Sequence, residues 1–86
     1  MHTVELLEHA LSVAGLLGIK LRMEWLGGTG GGGCEIHGQK CIFLDLAQSP
    51  SEQLEQVLAA LRGEPGLAAL EMPLPLRHLL GLRKVA

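Results

Sequence analysis

Tyrosine is absent from this chain, and phenylalanine and tryptophan occur once each, so no stacked aromatic cluster can build its core. A charge excess of one sign is missing as well. Nine acidic and seven basic side chains leave a net charge of −2, which gives no field to draw in nucleic acid or anionic lipid. Neither partner is expected. Long apolar runs are lacking, because Lys20, Arg22 and Glu24 break the longest candidate before it nears the roughly 18 residues of a membrane span. Cysteine is scarce, with two residues, and the opening Met1-His2-Thr3-Val4-Glu5 has none of the basic character of an export signal. Free thiols and a cytoplasmic location are the expectation.

What is present is an aliphatic chain, 48% apolar, of a length suited to one domain at residues 1–86. Chains below about 100 residues bury only about 60 to 65% of their unfolded surface in a single core, and self-association is one way to add to it. A homodimer is therefore a reading that size alone raises. Residues 1–71 hold four basic and nine acidic side chains, whereas Arg77, Arg83 and Lys84 lie in the last ten. Residues 81–86 read as a frayed basic tail.

Val4, Leu7, Leu11, Ala14 and Leu17 recur at steps of three and four, which predicts an amphipathic helix over residues 4–17, with Thr3 as its N-cap and Gly18 as its left-handed stop. The period then changes to two. Ile19, Leu21, Met23 and Trp25 alternate with Lys20, Arg22, Glu24 and Leu26, as in a strand with one buried and one wet face. Residues 34–36 and 41–46 flank His37-Gly38-Gln39-Lys40, and Gly38-Gln39 suits a two-residue type II′ turn. That register sets Ile36 opposite Cys41 and Cys34 opposite Phe43. Cys34, Ile36, Cys41 and Phe43 then share one face, with Ile42, Leu44 and Leu46 on the other. With both faces apolar, the last strand is either central or part of an interface.

Ser49-Pro50-Ser51-Glu52 is a capping box with proline at the first helical position, and Leu54, Val57, Leu58 and Leu61 continue as a helical stripe that Gly63 can end. Pro65, Pro73 and Pro75 cut the remainder into one turn near Leu67 and a short helix reaching Leu80. The order helix, three strands, helix, short helix predicts a two-layer α+β fold, its three-stranded sheet largely antiparallel and its helices on one face.

Residues 27–33 contain six glycines and Thr29. They satisfy G-x-G-x-x-G as letters, but a dinucleotide site needs that loop to open a helix, and strand-like Cys34-Glu35-Ile36 follows. A Walker loop would need Lys and then Ser or Thr where Cys34 and Glu35 stand. The run reads as a connection between strands. Cys34, His37 and Cys41 offer two thiolates and an imidazole for zinc. The hairpin register sets His37 on the face opposite the two cysteines, and a fourth ligand, His9, Asp45 or His78, would have to come from elsewhere. A Cys34–Cys41 disulfide is not expected, because the register makes the two diagonal. Glu5, Glu8 and His9 lie on the wet side of the first helix, and Ser49 and Ser51 are explained by capping, so no catalytic residue is assigned.

The segments 26–34, Gly38, Ile42-Phe43-Leu44-Asp45 and residues 49–61 resemble a family of small uncharacterised bacterial proteins, single domains with a glycine-rich segment and a leucine-rich helix. That resemblance implies a bacterial cytosolic protein and no particular activity. A fainter similarity, to the strand and helix of zincin metallopeptidases, lacks their His-Glu-x-x-His: this helix reads Leu54-Glu55-Gln56-Val57-Leu58. The expectation is a non-enzymatic module for protein interaction or self-association, without cofactor, contacting its partner through Cys34, Ile36, Cys41 and Phe43 or an open strand edge. The alternative is a small-ligand or zinc-binding domain using the glycine loop amides and the Cys34, His37 and Cys41 hairpin. An enzyme would require His9, His37 or His78 to meet acids in space.

Overall fold

The computed structural model describes residues 1–82. Its first helix, α1, spans Thr3–Leu16 and buries Leu7, Ala10, Val13 and Ala14. The N-cap is His2, with no side-chain capping bond, so Thr3 is already helical. Gly18 has φ 78° and ends the helix as expected. Strand β1, Lys20–Glu24, follows at once, then β2, Gly32–Ile36, and β3, Gln39–Asp45.

The sheet order is β1-β3-β2. β3 is central, which answers the question its two apolar faces posed. β2 pairs with it antiparallel and β1 parallel, so the sheet is mixed rather than largely antiparallel. The reason is geometric. Strand direction reverses at each of the two connections, so β1 and β3 run the same way, and placing β3 between the other two makes its β1 ladder parallel. The connection from β1 must also cross the end of β3, a gap of two strand spacings or about 9.6 Å. A two-residue turn cannot span that; residues 25–31 do.

The β2–β3 hairpin turns at His37-Gly38, with φ 51° and 78°. Positive φ at both central positions is a type I′ turn, where Gly38-Gln39 in type II′ form was expected. The register moves by two: Ile36 lies opposite Gln39, Cys34 opposite Cys41, and Gly32 opposite Phe43. A slip of two keeps every side chain on its face and changes only its partner. Cys34, Ile36, Cys41 and Phe43 therefore still share a face.

Helix α2, Pro50–Leu61, carries the capping box in full: the Glu52 amide donates to Ser49 Oγ at 3.2 Å and the Ser49 amide to Glu52 Oε1 at 3.1 Å. Leu54, Val57, Leu58 and Leu61 are all buried. α2 lies over β2 and β3, and α1 packs along α2 and reaches the start of β1. Ile42 and Leu44 meet these helices in the core, with Leu58, Leu61 and Leu76 among its fully buried side chains.

After a 3₁₀ turn at Leu67–Ala69, the short helix α3 spans Leu74–Leu79. Buried Arg77 holds this segment together, its guanidinium donating to the carbonyls of Leu70 and Ala68 at 3.0 and 3.3 Å. The Leu82 amide closes on the Arg77 carbonyl at 2.8 Å, and Leu82 packs against the core, so the chain is docked through residue 82. The remainder of the expected basic tail, residues 83–86, lies outside the described residues. Among the described residues no helix is long and apolar enough to cross a membrane.

Candidate functional site

Two regions compete for a functional role: the glycine loop over the end of β3 and the open margin of the sheet at β1. The loop is organised by one side chain, Asp45, which the sequence offers only as a distant fourth ligand for zinc and which the fold turns onto the loop amides instead. Asp45, the last residue of β3, is 0% exposed. Its Oδ1 accepts the amides of Leu26 and Ala47 at 3.0 and 2.9 Å, and its Oδ2 those of Gly28 and Gly30 at 2.8 and 3.0 Å. Burial alone would push this carboxyl up, but the amides of Ala47, Gly30, Leu26 and Gly28 outweigh it and hold the group below the usual carboxylate range.

The glycines follow from this geometry. Gly28 and Gly30 take φ of 85° and 90° while turning their amides toward the carboxylate. At Gly31 a β-carbon would collide with the backbone carbonyl of Phe43, so the chain passes there only without a side chain. Amides that sequence reading set aside for a ligand, those of Gly28 and Gly30, are occupied by Asp45. The loop binds its own anion.

The thiols stand closer to each other than expected. Cys34 and Cys41 are directly opposite rather than diagonal, Cys34 exposed and Cys41 buried. His37 sits in the turn beyond them. Among the described residues no three His, Cys, Asp or Glu side chains gather as a metal site. His9 borders a cleft with Met72, Pro73, Leu74 and Arg77, where the Arg77 guanidinium is already turned onto backbone carbonyls.

The sheet margin differs from expectation in another way. The β1 row read as buried is buried only at Ile19. Leu21, Met23 and Trp25 are 41%, 54% and 73% exposed. By register Leu21 and Met23 share the helix-side face with Ile42 and Leu44, yet the helices do not extend over them. Leu46, next after the Glu24–Asp45 pair, is exposed too, at 47%.

Among the described residues, no strand pairs with the outer backbone groups at this margin either. The Leu46 amide donates to the Glu24 carbonyl at 2.9 Å, so the even-numbered residues of β1 face β3. In a parallel ladder the alternate residues, here Leu21 and Met23, then direct their N–H and C=O groups away from the sheet. On the other face Arg22 lies with its guanidinium 5.9 Å from the centre of the Phe43 ring and pairs with Glu24 at 3.1 Å. The four residues expected as an interaction surface divide by exposure: Cys34 and Ile36 are open, Phe43 is half-buried and Cys41 is buried.

Compared with known proteins, the chain matches no family, no curated protein and no solved structure.

Proposed function

We propose that the protein is a non-catalytic interaction module that self-associates, with the β1 margin as its contact surface. One observation carries this reading. Three alternate apolar side chains, Leu21, Met23 and, just past the strand end, Trp25, stand exposed along a strand whose outer backbone groups have no neighbouring strand among the described residues. Such an edge favours pairing with another strand, whose hydrogen bonds give affinity and whose alternate side chains give specificity. Cytoplasmic residence is part of the same proposal, since two free thiols suit a reducing compartment.

Native mass spectrometry and sedimentation velocity across the micromolar range test it. Dimer should grow with concentration, and the emission of Trp25, the sole tryptophan, should shift to the blue as its ring leaves water. A strictly monomeric protein at high micromolar concentration would refute the proposal.

A second reading has its own observation, the exposed Cys34 and Ile36 on the face away from the helices. It predicts that Ile36→Lys abolishes dimer while Met23→Lys leaves it unchanged, the reverse of the first reading. The ligand or zinc alternative is weaker, because Asp45 takes up the Gly28 and Gly30 amides and, among the described residues, no three His, Cys, Asp or Glu side chains gather as a metal site. Unchanged metal content in a Cys34→Ser, Cys41→Ser variant would remove these thiols from it.

A further inference from the structure

We propose, resting on the self-association reading above, that the partner of β1 is the β1 of a second copy, antiparallel about a two-fold axis through Met23. The two sheets then join as β2-β3-β1-β1-β3-β2. Three features of the edge, taken together, point to this arrangement.

The first is hydrogen-bond parity. The outward-facing backbone groups belong to Leu21 and Met23, with Trp25 next in the alternation, so only these residues can form the hydrogen-bonded pairs of a new antiparallel ladder. With the axis at Met23 they do so: Met23 pairs with its own copy, and Leu21 with Trp25 of the other chain. An axis at Arg22 satisfies the same parity, pairing Leu21 with Met23.

Charge separates the two. With the axis at Arg22, two guanidinium groups face each other in a non-hydrogen-bonded pair, where side chains approach most closely. With the axis at Met23, Arg22 instead faces Glu24 of the other copy, twice by symmetry. Arg22 and Glu24 already pair along their own strand at 3.1 Å, with 58% and 42% of their side chains exposed. The dimer extends that pair into a four-charge group.

The third is the placement of the apolar row. Leu21 and Met23 lie on the helix-side face, and Trp25 continues the alternation. A two-fold axis perpendicular to the sheet keeps both helix layers on one side and brings the two apolar rows together. An axis lying along the strand would put them on opposite faces. The perpendicular two-fold also closes the contact at two copies, because the same patch serves both chains.

Single cysteines read the register. In a Cys34→Ser, Cys41→Ala background of the full chain, with folding checked by circular dichroism and diamide as oxidant, Met23→Cys should give a disulfide-linked dimer. Its two α-carbons would lie about 5.5 Å apart, inside the range a disulfide spans. Arg22→Cys should not, because its copies would be diagonal and roughly 7 to 8 Å apart or more. Should that background unfold, mapping the joined cysteines in chains that keep Cys34 and Cys41 gives the same readout.

Crosslinking at Arg22→Cys but not Met23→Cys would overturn the register. A solution dimer that crosslinks at neither position would overturn the β1 contact while leaving self-association standing, and a monomer would remove both. Glu24→Arg should weaken the dimer about tenfold, and adding Arg22→Glu should restore it. A charge swap without restoration would also count against this pairing.

Discussion

Gly31→Ala tests whether the glycine run is a requirement of the fold. At this position a β-carbon would overlap the Phe43 carbonyl, a backbone atom of the central strand that no rotamer change can move. Relief requires β2 to part from β3 by roughly 1.5 Å before ordinary contact is reached. That displacement breaks the adjoining Gly32–Phe43 pair. A lost hydrogen bond costs about 0.5 to 1.5 kcal/mol, and a buried group left unpaired about 1 to 3, so the expected loss is about 2 to 4 kcal/mol. A domain of this size has a total stability of about 4 to 13 kcal/mol, and the melting temperature should fall by roughly 10 to 30 °C. Gly28→Ala is the control. Among the described residues, its chain neighbours aside, no atom lies within 4 Å of its added carbon and only φ of 85° opposes it, a cost of about 1 to 2 kcal/mol. Urea unfolding followed by far-ultraviolet circular dichroism is the assay, in dilute protein, because exposed Trp25 would report unfolding poorly. If Gly31→Ala costs no more than Gly28→Ala, the close crossing over β3 is wrong.

The Asp45 carboxyl is held below its ordinary value when folded, so its contribution is complete above the unfolded value of about 3.9 and disappears as pH falls through the folded one. Urea midpoints across that acid range should drop for the wild type, and Asp45→Asn should flatten the drop while lowering stability at neutral pH. Because Cys34 and Cys41 are directly opposed, diamide should join them within one chain, with a mass loss of two hydrogens by intact-protein mass spectrometry; chains linked only to one another would contradict the type I′ register. Ser49→Ala removes a cap bond seen at 3.2 Å and should cost about 1 kcal/mol in the same urea assay. Leu58→Ala, at a nearly inaccessible position of the core, should cost about 2 to 5 kcal/mol.

Local signals carried the sequence reading furthest. The capping box, the stripe of Leu54, Val57, Leu58 and Leu61, and the stop at Gly18 all act within a turn or two of helix, and each was legible in the residues. The hairpin was legible as a hairpin, but His37 concealed its turn. Positive φ is rare outside glycine, with Asn, Asp and His the commonest exceptions, so Gly38 drew the turn toward itself. Burial along β1 was not legible. Alternation shows that a strand has two unlike faces, and it is silent on whether a helix is long enough to cover the apolar one. Asp45 was hidden for a similar reason: its four amide donors are assembled by the fold, from residues up to 19 positions away.

These two misreadings have one origin. Because residues 25–31 cross the end of β3 to reach the far side, β2 and β3 become neighbours and β1 is left as an edge. α2 follows directly from β3 and lies over the β2–β3 pair, and α1, packed against α2, leaves the β1 side chains largely exposed. Ile19 falls under it, while Leu21, Met23 and Trp25 do not. A tight hairpin between β1 and β2 would instead have made β2 the central strand and given β1 an antiparallel neighbour. The glycine run and the exposed apolar row thus belong to a single topological choice, which Asp45 fixes by binding the crossing loop. Loosening that loop should weaken self-association as well as stability, because the chain just past the strand offered to the second copy is tied down by the Leu26 amide on Asp45. Asp45→Asn should therefore raise the dimer dissociation constant under conditions where circular dichroism shows the chain still folded. A folded Asp45→Asn chain that dimerises as tightly as the wild type would separate the loop from the edge and refute the link.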